Sequence, residues 1–356
     1  MAIEEGKKGL GFVAPNPAVG CVFLDSENKL LSKGYHRQYG KDHAEVDAYQ
    51  SIKDKNKVDG GSVFVTLEPC AHQGKTPPCA QMLAGLPIKK FYYGVKDPNP
   101  VAAHGERVLK AAGKEVIHLK EMESQCEELA EIFLHNQKYQ RPFVHVKIGA
   151  TLDGQISLKS GDSQWITCQE SRDFVQTLRG QYDAVLVGRK TFEVDNPRLN
   201  SRDPIFKDKQ NHIVIVDSEG KSLSQLEKSQ LLTVRSKERV WIVTDKKMGT
   251  TSSAQVISVE KQGKTLDLEK AFFELYKKGV TSILVEGGAY TISRLLEKQL
   301  VQRLSVFIAP RIMGAKSGIS WTNDLSVSNL NSMIQTGPLR ATQIGSDIFI
   351  TTILKS

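Results

Sequence analysis

The stretch His43-Ala44-Glu45, followed by Glu68-Pro69-Cys70 and, with eight residues between, Cys79, decides how the first half of this chain is read. One imidazole and two thiolates make a three-ligand set for zinc, and three protein ligands leave a fourth position open to water. Zinc lowers the pKa of bound water towards ~7, which makes a nucleophile available at neutral pH. A carboxylate beside it, here Glu45, can carry the proton onward to a substrate nitrogen. Residues two apart in a helix interior diverge by about 200°, so His43 and Glu45 can share one cavity only at a helix start. Cys70 follows a strand-like run and is expected to open a helix, whose positive end favours thiolate. Plainer readings stand beside these: His43 and Glu45 as a solvated first turn, each cysteine as packing. A closed structural zinc site is the other alternative; it needs His36 or His72 as fourth ligand and leaves Glu45 without a role.

Outward from these residues, strand-like and helix-like stretches alternate. Residues 19–24, 62–67, 90–95 and 116–119 read as strands, and 43–53 and 106–112 as helices, the second stopping at Gly113. One three-layer α/β domain accommodates them all. Residues 121–139 read as a single charged amphipathic helix. Arg141-Pro142 then interrupts, and a strand at 143–148 begins a second α/β alternation, so domains are expected at 1–140 and 141–356. In the second half the strands are expected at 184–187, 212–216, 240–243, 282–285 and 304–308, with helices around 170–180, 267–278 and 289–299. The polar stretches 207–210 and 218–237 read as loops and suggest no function.

At 356 residues the chain exceeds what one core usually organises, which agrees with two domains. With 40% apolar and 25% charged residues it has an ordinary globular composition. No apolar run approaches the roughly 20 residues of a membrane span, and residues 1–10 are charged where a signal peptide would be apolar. Cytoplasm is the expected compartment, with no membrane partner. The five cysteines are an odd number, which disfavours a disulfide framework and favours metal or thiol chemistry. A net charge of +8 suits anionic partners, either nucleic acid or phosphorylated small molecules. Only 7% of residues are aromatic and no basic stripe is interleaved with them, so the second half offers little for nucleic acid. Whether the chain forms a homo-oligomer stays open.

Taken together, the motifs resemble one family. Zinc deaminases share H-x-E with a later P-C-x-x-C, in which the glutamate moves protons and does not bind metal. The longer gap before Cys79 is similar to that of the bifunctional riboflavin-biosynthesis deaminase/reductases. So are Pro15-Asn16-Pro17-Ala18-Val19-Gly20, Gly34-Tyr35-His36, Thr66-Leu67-Glu68-Pro69-Cys70, Gly74-Lys75-Thr76-Pro77-Pro78-Cys79 and Asp97-Pro98-Asn99-Pro100. In the second half the resemblance continues through Lys147-Ile148-Gly149-Ala150-Thr151-Leu152-Asp153-Gly154, Ser163-Gln164-Trp165-Ile166-Thr167, Asp195-Asn196-Pro197 and Val285-Glu286-Gly287-Gly288.

That family implies a cytidine-deaminase-like first domain and a dihydrofolate-reductase-like second domain that uses NADPH. By the resemblance His43, Cys70 and Cys79 bind zinc, and Glu45 is the catalytic proton carrier. Asn16, His36, His72, Lys75, Asp97 and Asn99 would hold the deaminase substrate, a phosphorylated pyrimidine. The cofactor would meet Gly149, Trp165, Thr191, Asp195, Ser218, Gly288 and Ala289. Lys147, Ser163, Arg179, Leu199, Arg202 and Glu286 would meet the reductase substrate. Two departures are visible: the family usually carries more residues before Ile3, so the opening helix is expected to be short or to start upstream, and Gly188-Arg189-Lys190-Thr191 carries two cations where small or apolar residues are usual.

No G-x-G-x-x-G follows a strand, so a Rossmann domain is disfavoured and nicotinamide binding must rest on other loops. Val285-Glu286-Gly287-Gly288-Ala289 joins a strand to a helix, where backbone amides can approach a pyrophosphate. In the similar loop before Thr191, Arg189 and Lys190 could meet the 2′-phosphate of NADPH; an ordinary basic turn is the alternative. Arg179 and Arg202 suit a phosphate, because guanidinium presents paired donors to paired oxygens. Trp165 as a core anchor and Asp195 as a turn cap are the structural alternatives.

Overall fold

Apolar runs bounded by polar turns build one sheet in the first of two units, Met1–Gln140. Its strands are β1 (Gly20–Leu24), β2 (Leu30–Tyr35), β3 (Ser62–Leu67), β4 (Lys90–Val95) and β5 (Glu115–His118), ordered β2-β1-β3-β4-β5. The structure is a computed structural model and describes residues 1–73, 77–101, 103–247, 249–263, 265–322 and 324–354. Strand β1 runs antiparallel to β2 and β3, while β3, β4 and β5 are parallel. The helices are α1 (Ala2–Gly6), α2 (Ala44–Gln50), α3 (Cys79–Ala84), α4 (Gly105–Ala111), α5 (Glu123–Leu129) and α6 (Glu131–Tyr139). Phe23, Val63, Val65, Phe91 and Tyr93 of the sheet bury Ala44 and Ala48 of α2, Leu83 of α3 and Leu109 of α4.

Two expectations change here. The strand β2 is absent from the sequence reading because its residues are mixed: as an edge strand it buries only Ser32 and Gly34. The single helix expected over 121–139 is broken at Ala130, whose ψ of 10° leaves the helical range. The first piece sends Leu129 against Val13 and Ala18 and Cys126 against Leu67 and Val95, where Phe133 of the second piece packs as well.

The second unit, Arg141–Ser356, is built on β6 (Phe143–Thr151), β7 (Gln155–Leu158), β8 (Ala184–Gly188), β9 (His212–Val216), β10 (Val240–Thr244), β11 (Gln255–Ser258), β12 (Lys261–Gln262), β13 (Thr265–Leu266), β14 (Ser282–Val285), β15 (Arg303–Ala309), β16 (Gly318–Ser320), β17 (Arg340–Ile344) and β18 (Asp347–Ile353). Nine of these make one sheet, ordered β11-β10-β9-β8-β14-β6-β15-β18-β17. Neighbours from β11 to β15 are parallel, and the β17–β18 hairpin adds antiparallel strands. This is the α/β alternation expected for the second half, an open and mostly parallel sheet with an antiparallel hairpin at one edge. The helices are α7 (Gln169–Gln181), α8 (Arg189–Asp195), α9 (Leu223–Leu226), α10 (Leu268–Lys277) and α11 (Ala289–Glu297).

Alternate strand residues serve opposite faces. Val146, Leu186, Val214, Val243 and Ile283 pack on Phe272 and Leu275 of α10 and Ile292 and Leu295 of α11. Val185, Val187, Ile213, Ile215 and Ile242 pack on Phe192 of α8 and Leu226 of α9. Burial on both faces is why these strands read as unbroken apolar runs. Because β6, β8, β9 and β14 are parallel, the loops that follow them emerge at one edge, where open α/β sheets bind ligands. Among the described residues no helix is long and apolar enough to cross a membrane.

Candidate functional site

Gly34 brings α2 onto β2: a Cβ at this position would lie 2.2 Å from the Ala48 nitrogen. That close approach seats α2 on β2, and His43 at the start of the helix faces Cys70 in the loop after β3. His43 is the N-cap, with extended φ −71° and ψ 163°, and Glu45 sits in the first turn, the helix start that allows both side chains into one cavity. His43 Nδ1 lies 3.6 Å from Cys70 Sγ and 3.4 Å from Cys79 Sγ. The three ligand atoms lie within 4.8 Å of one another, and they are the only such group among the described residues. One nitrogen and two sulfurs at this spacing fit zinc.

Cys70 does not open a helix. It sits in the loop after β3, and the helix begins only at Cys79, behind Pro77-Pro78. The helical amide reaches the sulfur another way, since the Cys79 N–H donates to Cys70 Sγ at 3.4 Å. Hydrogen-bonded by the Cys79 side chain and facing His43, the Cys70 thiol is held well below the usual thiol range. Burial pushes the Glu45 carboxyl up to about 6, and the residue is only 4% exposed. His36 is not a fourth ligand: its Nε2 meets Asn16 Nδ2 at 3.2 Å and its Nδ1 meets the Asp42 carbonyl at 2.8 Å. His72 also lies outside the ligand group, and its buried Nδ1 has no hydrogen-bond partner among the described residues.

A cavity of about 250 Å³ opens over these groups, and Asn16, His36, His72, Asp97 and Asn99 line it with His43, Glu45 and Cys70. Lys75 lies outside the described residues. Burial raises the Asp97 carboxyl, which accepts the Asn99 N–H at 2.9 Å. Tyr39, Lys41 and Glu68 also line the cavity and had no role in the sequence reading. Glu68 extends the parallel ladder by one residue, donating its N–H to the Val95 carbonyl at 2.8 Å. Its two carboxylate oxygens accept the N–H groups of Asp97 at 3.3 Å and Glu106 at 3.1 Å. A buried acid between a strand end and Pro-Cys was the available signal.

In the second unit, register explains the polar cluster. Val285 of β14 pairs with Val146 of β6, so the next residues, Glu286 and Lys147, lie side by side with Oε2 and Nζ 3.1 Å apart. Arg179 of α7 donates to both oxygens of Glu286, from Nε at 2.6 Å and Nη2 at 3.0 Å. Burial alone would raise the Glu286 pKa; Arg179 and Lys147 reverse this and hold it at about 2. Arg179 Nη1 also donates to the Asn200 carbonyl at 3.2 Å, which brings in buried Leu199.

A Cβ on Gly287 would lie 2.9 Å from the Gly188 nitrogen, so the loops after β14 and β8 touch backbone to backbone. Gly288 donates its N–H to Thr191 Oγ1 at 3.3 Å. The first turns of α8, with Thr191, and of α11, with Ala289, therefore open side by side, a setting that suits the pyrophosphate of a dinucleotide. Gly149 lies two residues beyond Lys147 on β6, and Ser218 follows buried Asp217 after β9. Arg189 is surrounded by acids: Glu193 at 3.1 Å, Asp217 at 3.5 Å and Glu219 at 3.5 Å. Lys190 is exposed. Asp195 ends α8, its carboxyl raised by burial. Trp165 is 61% exposed beneath Arg172, whose guanidinium is 4.8 Å from the ring centroid, so it is no core anchor. Ser163, Trp165 and Arg202 make no hydrogen bond or ion pair to either group among the described residues; the Arg202 N–H donates to Gln176 Oε1.

Two protein families match separate parts of the chain. The family described as the cytidine and deoxycytidylate deaminase zinc-binding region matches residues 1–95, and the RibD C-terminal domain matches residues 142–350. Fold and site thus define a zinc-dependent aminohydrolase of the cytidine-deaminase class carried on one chain with a reductase. The riboflavin biosynthesis protein RibD of Actinobacillus pleuropneumoniae is 35% identical, over 100% of this chain and 94% of its own length. That of Bacillus amyloliquefaciens is 34% identical, over 99% and 95%. The solved diaminohydroxyphosphoribosylaminopyrimidine deaminase/5-amino-6-(5-phosphoribosylamino)uracil reductase of Thermotoga maritima superposes with a TM-score of 0.86 at 30% identity, covering 99% of this chain and 97% of its own. The chain belongs to the RibD family, the bifunctional deaminase/reductases of riboflavin biosynthesis.

Proposed function

We propose that the first unit removes the exocyclic amine of 2,5-diamino-6-ribosylamino-4(3H)-pyrimidinone 5′-phosphate, and that the second reduces the deaminated product, 5-amino-6-(5-phosphoribosylamino)uracil, to its ribitylamino form with NADPH. The observation that carries it is a buried glutamate, Glu45, beside a three-ligand set that leaves room for water. Bound at His43, Cys70 and Cys79, zinc supplies the Lewis acidity that makes water nucleophilic at neutral pH. Glu45 moves the proton to a ring nitrogen and then to the departing amine; its raised pKa suits both accepting and releasing it. Asn16, His36, His72, Asp97 and Asn99 hold the pyrimidine, and Lys75 its phosphate.

In the second unit Gly149, Trp165, Thr191, Asp195, Ser218, Gly288 and Ala289 hold the cofactor, which supplies a hydride for the sugar carbon. Lys190 is the freer charge for a 2′-phosphate, since Arg189 already faces three carboxylates. Ser163, Arg179, Leu199 and Arg202 receive the substrate phosphate. Glu286 stays ionised and orients Lys147, which carries the proton. The net charge of +8 matches two phosphorylated substrates and an anionic cofactor. A cytoplasmic setting follows from these metabolites.

The test is Glu45→Gln. Deamination should fall by at least about a hundredfold, the usual scale for a positioned proton carrier, with bound zinc unchanged. A variant that loses its zinc, or that turns over normally, contradicts the role given to Glu45.

A further inference from the structure

The polar stretch that follows α9 has no part in the cofactor or substrate contacts above, yet it contains a buried charge that needs an explanation. Arg235 is only 6% exposed. Among the described residues it forms no ion pair, and its Nε has no hydrogen-bond partner. Its one side-chain hydrogen bond among the described residues runs from Nη1 to the Arg198 carbonyl at 2.8 Å. Burial and the nearby positive charge of Arg179 draw its pKa down to about 10. A buried guanidinium beside a second arginine, without a carboxylate of its own, is unfavourable unless an anion arrives.

The bonds of these two arginines meet around one residue. Arg235 binds the carbonyl of Arg198, and Arg179 binds the carbonyl of Asn200. Between them Leu199 takes a φ of +50°, a left-handed conformation that a leucine rarely adopts. The same stretch braces the turn further back, with the Gln230 N–H on Asn196 Oδ1 at 2.9 Å and Arg198 Nε on Gln230 Oε1 at 3.0 Å. Both flanking carbonyls are thereby turned towards cations, while the N–H groups of Leu199 and Asn200 donate to no described residue. Successive free amides in a turn of this kind form an anion-binding concavity.

We propose that Arg235 is a positioning residue for the reductase: it holds the Leu199 turn in the left-handed form that receives the phosphomonoester end of the substrate beside Arg179. The proposal rests on the reading that the second unit reduces a phosphorylated sugar. Arg235 acts through the turn and its charge, and does not touch the reacting carbon.

The experiment compares the full chain with Arg235→Met and Arg235→Lys, using NADPH consumption with 5-amino-6-(5-phosphoribosylamino)uracil and with its dephosphorylated counterpart. In Arg235→Met, KM for the phosphorylated substrate should rise about tenfold or more, the scale of one charge-assisted contact, with kcat little changed. KM for the dephosphorylated compound should stay where it is. Arg235→Lys keeps a cation and a donor for the Arg198 carbonyl and should restore most of the preference. A merely structural residue would change both substrates alike, and that outcome overturns the proposal, as does an unchanged KM. If Arg235→Met does not fold, the lysine variant decides alone: a smaller but phosphate-specific rise supports positioning, and an equal rise for both substrates refutes it. A wild-type chain that consumes no NADPH with either compound instead overturns the reductase reading itself.

Discussion

The guanidinium of Arg179 grips Glu286 with two parallel hydrogen bonds, 2.6 and 3.0 Å long, while Lys147 approaches the same carboxylate from β6 at 3.1 Å. Two cations on one buried acid keep that acid ionised. Replacing Glu286 by Gln leaves both cations without their counter-charge, and breaking a buried pair in this way costs about 3 kcal/mol or more. The loss should be seen in denaturant unfolding of the full chain.

The same pair sets a pH dependence whose sign is fixed. Glu286 is depressed from 4.5 to about 2 on folding, so its stabilisation is fully present above about 4.5 and is lost as pH falls towards 2. The stability gap between the wild-type chain and Glu286→Gln should shrink across that window and stay constant at higher pH. A constant gap down to pH 2 would show that Glu286 is not held ionised by its partners.

Glu68 ties both ends of the 97–106 segment to the strand that precedes Cys70. In Glu68→Ala the part-buried N–H groups of Asp97 and Glu106 lose their acceptor, which costs on the order of 1 to 3 kcal/mol each. Zinc content should be unchanged, while KM for deamination rises about tenfold or more, because Asp97 and Asn99 are no longer held over the cavity. Loss of zinc would place Glu68 with the ligands instead.

Arg189 and Lys190 separate on the structure although they are adjacent in the chain. Lys190→Ala should lower the preference for NADPH over NADH about tenfold, as expected for one lost contact to phosphate. Arg189→Ala should leave the ratio of the two KM values nearly unchanged, because that guanidinium already faces Glu193, Asp217 and Glu219. The reverse order of effects would mean that the acids move aside when the cofactor binds.

What could be read in advance follows from burial. Strands such as β8 and β14 are covered on both faces, so their apolar runs are continuous, and the zinc ligands carry side chains with little other reason to occur together. Edge elements escaped notice: β2 buries two small residues, and β17 is exposed along nearly its whole length. The register that sets Lys147 against Glu286 depends on a parallel pairing across 139 positions, and no local pattern encodes it. Arg235 was hidden for a similar reason, since a lysine- and serine-rich stretch conceals one arginine that the fold buries.

The most direct measurement mixes the full chain with the diaminopyrimidine phosphate, NADPH and zinc, and follows ammonia release together with the loss of NADPH absorbance. The expected result is that ammonia appears first, that NADPH is then consumed in equal amount, and that chelating zinc stops both. Cys70→Ala should release no ammonia, yet it should still consume NADPH when given the deaminated substrate directly. NADPH loss from the diaminopyrimidine without ammonia, or a folded Cys70→Ala chain unable to reduce the deaminated compound, would contradict two separate sites working in sequence.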